Sequence, residues 1–286
     1  MNRPVAVPRP GPLVAIGGAE DKSREADILG CVLRMAHRET PAVAVITTAS
    51  GYPDDVFEGY REVFENLGAG EVRHVRVRER ADAGSEPFID MIRNADVVFM
   101  SGGDQMRLTS IFGGSAALDA IRTRHAEGGV VAGTSAGAAC QSGTMVYGGA
   151  ADDSLRKGIV KMTAGFGLVD GVIIDTHFLE RGRFTRLMEV GATNPEYLGV
   201  GIGEDAAVLF DGDTLRAFGP GHVVLVDSSM MTGSNVFDLD DGEAISVLNV
   251  IMHALVSGYG YSLKDRRVLG PGEVDANQVE RSVAYP

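Results

Sequence analysis

The sequence predicts an α/β protein built on a mostly parallel, doubly wound sheet, with helices on both faces and a small antiparallel extension in its last third. Three observations predict this. Short, almost wholly apolar runs alternate with amphipathic stretches through the first two-thirds of the chain, as in strands buried on both faces by crossover helices. Turns rich in Gly, Ser and Thr follow those runs after Ile16, Thr48, Met100 and Ala132. The last third changes to short strands joined by a tight turn at Asp211-Gly212-Asp213, a hairpin signal.

Leu13 to Ile16 reads as the first buried strand, followed from about Lys22 by a helix with Ala26, Leu29, Leu33 and Ala36 on one face. Ala42 to Thr48 is the second strand, and Asp54 to Leu67 a helix with Val56, Tyr60, Val63, Phe64 and Leu67 on its apolar stripe. Val72 to Val77 is the third strand. Pro87 suits the first turn of the next helix, and Asp96 to Met100 the fourth strand. Helical stretches from Gln105 and over Ala116 to His125 lead to the run Gly129-Val130-Val131-Ala132. Later come strands at Val172 to Thr176, Gly199 to Gly203, Ala206 to Phe210, Thr214 to Phe218 and Val223 to Asp227. Ala244 to Val256 fits helix or strand. The expected organisation is an N-terminal arm over 1–12, one catalytic domain over 13–269 and a C-terminal surface arm over 270–286.

The 286 residues are 44% hydrophobic and carry a net charge of −13, enough apolar content for a large core. Such an acidic balance argues against nucleic acid and anionic membrane as partners. No apolar run reaches membrane-spanning length, and the start has four prolines and no apolar signal region. The two cysteines, Cys31 and Cys140, have neither metal nor redox spacing, which suits a reducing, cytoplasmic setting. No cofactor or metal is expected, because no His/Asp/Glu ligand set stands out.

Gly133-Thr134-Ser135-Ala136-Gly137 lies between an apolar run and helix formers, the setting of a nucleophile elbow. The alternative is a turn that only packs or binds an anion. Ser135 is the candidate nucleophile, and it needs a base. Of the six histidines, His177 directly follows a buried strand at the edge where Ser135 should sit, 42 residues downstream. A lipase or esterase would place its histidine later, after the acid. The third member stays open among Asp152, Asp153, Asp170, Asp175 and Glu204. An oxyanion hole needs two backbone N–H donors: one from Ala136, the other from Gly102 or Gly103, Gly103 being the candidate. Arg181, Arg183 and Arg186 crowd beside His177. Guanidinium forks recognise carboxylates, so these arginines point to a carboxylate-bearing substrate, unless they form structural ion pairs.

Gly17-Gly18-Ala19-Glu20-Asp21-Lys22, Ile46-Thr47-Thr48-Ala49-Ser50, Gly102-Gly103-Asp104-Gln105, the elbow, and Asp175-Thr176-His177-Phe178 with its arginines resemble the cyanophycinases, of the serine peptidase family that includes dipeptidase E. The motifs run from Leu13 to about Asp227. The resemblance implies exo-cleavage of cyanophycin, poly-aspartate with arginine on each β-carboxylate, to β-aspartyl-arginine. It implies Ser135 as nucleophile, His177 as base, Asp153 as the acid, substrate-pocket roles for Gln105, Asp175, Arg181, Arg183 and Arg186, and a homodimer. Thr176 stands where that family usually has glutamine. Two other functions fit the same residues: an isoaspartyl or Asp-x dipeptidase with a smaller pocket, and a non-catalytic peptide-binding relative.

Overall fold

The apolar runs at 13–16, 97–100 and 130–134 form the middle of a nine-stranded sheet. The structure is a computed structural model, and it describes residues 9–23, 26–153 and 155–273. Its first part contains β1 (Leu13–Ile16), α1 (Asp27–Arg34), β2 (Ala42–Ile46), α2 (Pro53–Asn66), β3 (Glu71–Val75), α3 (Glu86–Arg93), β4 (Val97–Met100), α4 (Gln105–Phe112), α5 (Ala116–Ala126), β5 (Val130–Thr134) and the single turn α6 (Ala136–Ala139). Strands β3, β2, β4, β5 and β1 lie side by side and parallel. Helix starts follow local chemistry. Pro53 opens α2, and the Asp104 carboxylate caps α4 by accepting the Met106 and Arg107 amides. The first helix begins at Asp27 and not near Lys22. The Asp21 carboxylate takes the Ser23 and Ala26 amides into a turn first, a side-chain bond that competes with helix.

The chain continues through a hairpin, β6 (Thr144–Gly148) and β7 (Lys161–Ala164), then β8 (Val172–Thr176), α7 (Phe184–Thr193) and β9 (Leu198–Ile202). Next come β10 (Ala207–Asp211), β11 (Thr214–Phe218), β12 (Val223–Asp227), β13 (Gly233–Ser234), β14 (Val247–Leu248), β15 (Ile251–Leu255), β16 (Gly260–Ser262) and β17 (Arg267–Leu269). Strands β10, β11, β16 and β17 extend the large sheet beyond β1 in antiparallel order. The ambiguous segment 244–256 resolves as strand, in β14 and β15.

A second sheet, in the order β15-β12-β9-β8, was not anticipated: the strand before His177 belongs to it and not to the sheet that carries Ser135. Alternate residues explain the layering. On β1, Val14 and Ile16 face α1 and α2, whereas Leu13 and Ala15 face α3, α5 and the second sheet. On β8, Val172 and Ile174 join that same core, whereas Ile173 packs under Leu187 and Val190 of α7. Cys31 and Cys140 are therefore buried on opposite faces of the large sheet, both as free thiols.

Of the expected arms, residues 1–8 and 274–286 lie outside the described residues. Within 9–12, the Gly11 amide donates to the His125 carbonyl, and Pro12 accepts from Val131. Among the described residues no helix is long and apolar enough to cross a membrane.

Candidate active site

Ser135 stands between β5 and α6 with φ 51° and ψ −109°, a conformation that costs a side-chain-bearing residue roughly 1–3 kcal/mol. The turn closes this tightly because a Cβ at Gly133 would lie 2.2 Å from the Gly137 carbonyl oxygen. The Ser135 amide donates to the Ile16 carbonyl, and the Ser135 carbonyl accepts from Ala138 and Ala139. The hydroxyl is thereby held clear of the sheet edge. Cys140, five residues on, is buried and its thiol faces the Gly137 carbonyl. Burial pushes that thiol far above its ordinary range, so it is a core residue.

The Ser135 Oγ lies 3.0 Å from His177 Nε2, and His177 Nδ1 lies 2.6 Å from Glu204 Oε1. An ionised carboxylate only accepts, so Nδ1 carries the proton and Nε2 is free to accept from the serine. His177 and Glu204 follow β8 and β9, which pair in parallel with Thr176 opposite Ile202. Their turns therefore emerge together at one carboxyl edge, where open sheets place their sites. The imidazole rests directly on the turn after β1: a Cβ on Gly18 would stand 2.3 Å from His177 Cε1. His177, Ala19 and Asp205 also have positive φ, at 48°, 49° and 49°, so backbone strain gathers around this point.

The carboxylate on His177 is thus Glu204, not Asp153, which is exposed in the turn after β6. The fold gives the reason. Ala151, Leu155 and Val160 are tied to α7, where the buried Glu189 accepts the Leu155 and Val160 amides and Thr185 donates to the Ala151 carbonyl. Glu204 was among the sequence candidates as the first acid after the strand at Gly199 to Gly203; the pairing of β8 with β9 singles it out.

A cavity of about 580 Å³ opens above Ser135 and His177, lined also by Gly102, Gly103, Gln105, Thr176, Arg181 and Arg183. Gly103 takes φ 137°, open to glycine, and among the described residues none of the Gly102, Gly103 and Ala136 amides donates to a backbone carbonyl. These are the donors an oxyanion would need. Gln105 reaches the wall with its amide nitrogen donating to the Val146 carbonyl.

Asp175 and Arg186 do not line this cavity. Asp175 points to the other side of β8, where Arg183 Nη1 donates to it at 3.0 Å and Arg186 Nε stands 3.2 Å away, off the hydrogen-bond axis. Burial pushes the Asp175 carboxyl up, with Arg186 and Arg183 pulling it back. Arg183 also donates to the Thr176 carbonyl, so it spans this buried cluster and the cavity wall, whereas Arg181 is exposed at the rim. The cavity is also lined by Glu20 and Lys22, from the motif after β1, and by Asp55, Val56, Gly59 and Tyr60 of α2. Among the described residues no group of His, Cys, Asp and Glu is arranged to hold a metal ion.

Comparison with known proteins identifies the family. A family model described as peptidase family S51 matches residues 13–218. The chain is 35% identical over 260 residues to a cyanophycinase of Synechococcus elongatus, covering 90% of this chain and 81% of that protein. It is 34% identical over 259 residues to a cyanophycinase of Trichormus variabilis, covering 90% and 87%. A solved peptidase from an acI-B1 Actinobacterium shares the fold, with a TM-score of 0.67 at 21% identity over 88% of this chain and 97% of that one. With a match across most of its length and relatives above the level at which fold and family coincide, the chain belongs to peptidase family S51.

Proposed function

We propose that this protein is a serine exopeptidase that hydrolyses cyanophycin, with Ser135 as nucleophile, His177 as general base and Glu204 as the carboxylate that orients it. The observation that carries this reading is the unbroken chain Ser135 Oγ, His177 Nε2, His177 Nδ1, Glu204 Oε1 at 3.0 and 2.6 Å. His177 takes the serine proton as Oγ attacks the scissile carbonyl. The amides of Ala136 and Gly103 receive the oxyanion. His177 then protonates the leaving amine, and water releases the acyl group through the same base. Glu204 holds the imidazole tautomer that keeps Nε2 free.

The cavity supports a substrate with both charges. Arg181, Arg183 and Asp55 all line it, and β-aspartyl-arginine units carry carboxylates and guanidinium groups together. Release of β-aspartyl-arginine from purified cyanophycin tests the reading: wild type releases it and Ser135→Ala does not. Wild type inert on polymer but active on aspartyl dipeptides would replace this reading with the dipeptidase one. That second reading has one observation in its favour: Thr176, in the place of the larger glutamine, lines the cavity.

We further propose a homodimer formed through β15. This strand is the outer edge of the second sheet, and Ile251 and Met252 on it are exposed beside exposed Leu248 and Val256. Unpaired apolar edges invite a partner strand. Light scattering of wild type and Met252→Lys tests it, the dimer mass being lost in the variant. The two buried free thiols support a cytoplasmic location.

A further inference from the structure

The turn after β1 touches the immediate surroundings of all three site residues. The Gly17 carbonyl accepts the His177 amide at 2.8 Å, and Gly18 packs under the imidazole. The Gly18 carbonyl accepts the amide of Asp205, next to Glu204, at 3.0 Å, and the Asp205 carboxylate accepts the Asp21 amide. Glu20 reaches the third partner: its Oε2 accepts the hydroxyl of Thr134, the residue before Ser135, at 2.6 Å.

Glu20 is itself firmly placed. Its side chain is only 1% exposed, its Oε1 accepts the Tyr60 hydroxyl at 2.5 Å, and the Lys22 ammonium lies 3.4 Å away over the Tyr60 ring. Tyr60 is fixed in turn by Phe64 and Phe99, with its ring centroid 4.7 Å from that of Phe99. Burial, reinforced by Glu20, keeps the phenol protonated and so a donor. A carboxylate placed this deeply survives only with its partners in place. Those partners come from the turn after β1, from α2 and from the end of β5.

Ser135 holds a strained backbone conformation, and such a conformation persists only when its surroundings over-determine it. We infer that Glu20 is a positioning residue for the nucleophile: through Thr134 it ties the strained turn to the segment that seats His177 and Glu204, and so fixes the distance from Oγ to Nε2. Glu20 reaches Ser135 only through Thr134, and the inference rests on Ser135 being the nucleophile.

Labelling of Ser135 by a fluorophosphonate reads nucleophile reactivity without reference to any substrate. Glu20→Gln and Thr134→Val should each slow labelling roughly ten- to a hundredfold, the scale of a misplaced reacting group. The double variant should be no slower than the worse single one, and Thr134→Ser, which keeps the hydroxyl, should label near the wild-type rate. Thermal melts identify any variant that fails to fold; the Thr134→Val and Thr134→Ser pair then carries the test. Wild-type labelling rates in folded Glu20→Gln, or equal slowing by Thr134→Ser and Thr134→Val, would overturn the inference while leaving the triad intact. A wild type that the probe never labels would overturn the nucleophile assignment and this inference together, whereas a labelled wild type inert on cyanophycin would remove only the substrate.

Discussion

The site joins two regions of unlike construction. The serine end is local: five residues, Gly133 to Gly137, make the turn, and their geometry follows from small side chains between β5 and α6. The histidine end is assembled. His177 and Glu204 lie 27 residues apart, just past the ends of neighbouring parallel strands of a separate sheet, brought to Ser135 by a core shared between the two sheets. The contrast teaches that a nucleophile is encoded by a motif, whereas its base and carboxylate are encoded by strand pairing. Damage to the first should be absolute and local. Damage to the second should be graded.

The largest expected effect therefore lies at the serine end. Ser135→Ala should reduce kcat by at least about 10³-fold with the melting temperature unchanged, and His177→Ala added to it should cost nothing more, as for residues acting as a unit. At the histidine end, Glu204→Gln should lower kcat by roughly 10²- to 10⁴-fold through loss of the imidazole's orientation. Asp153→Asn should leave kcat/KM within about twofold, as for a surface residue. Equal losses in that pair would return the acid to the turn after β6. At the seam between the regions, Gly18→Ala places a methyl against the His177 ring; a loss of kcat near 10²-fold, with intact far-ultraviolet circular dichroism, is the expected result.

Stability should separate the regions as well. In the second, Asp175→Asn leaves Arg183 and Arg186 facing a neutral partner in a buried place. Denaturant unfolding should show a loss of up to roughly 3–5 kcal/mol. On α2, over the sheet that carries Ser135, Asp54→Asn breaks surface contacts with Arg76 and Arg78 and the 3.9 Å approach of His74 Nδ1, and less than about 1 kcal/mol should be lost.

The smallest effect is a pH slope. Burial holds the His74 pKa below the ordinary imidazole value, with Phe57 stacked on its ring and Thr47 on Nε2. Between that lowered value and about 6.5 the unfolded chain binds more protons than the folded one, so stability falls as pH drops through this window. His74→Asn should flatten the melting temperature between pH 7 and pH 5. An unchanged slope would assign the dependence to another group, such as His125, whose pKa burial also lowers.

The parallel half of the large sheet was legible because strands buried on both faces are apolar throughout, and because Pro53, Pro87 and the elbow glycines punctuate them. His177 was legible as a histidine at the end of a buried strand. The second sheet was not, since an apolar five-residue strand such as VIIDT carries no mark of which sheet it joins. Asp175 illustrates the same limit. Its place next to Thr176, which lines the cavity, puts it on the opposite face of β8, yet only packing shows that Arg183 and Arg186 gather around it there.

By itself the sequence determined the alternating α/β order, the strained serine turn and the histidine behind a strand, because each is a local pattern of side-chain size, polarity and backbone freedom. Tertiary structure alone decided that Glu204 and not Asp153 meets the imidazole, that two arginines turn inward to Asp175, and that Glu20 lies behind the nucleophile. Each of those outcomes depends on which chain segments, tens of residues apart, are brought within about 3 Å for a hydrogen bond, and no short stretch of sequence carries that distance.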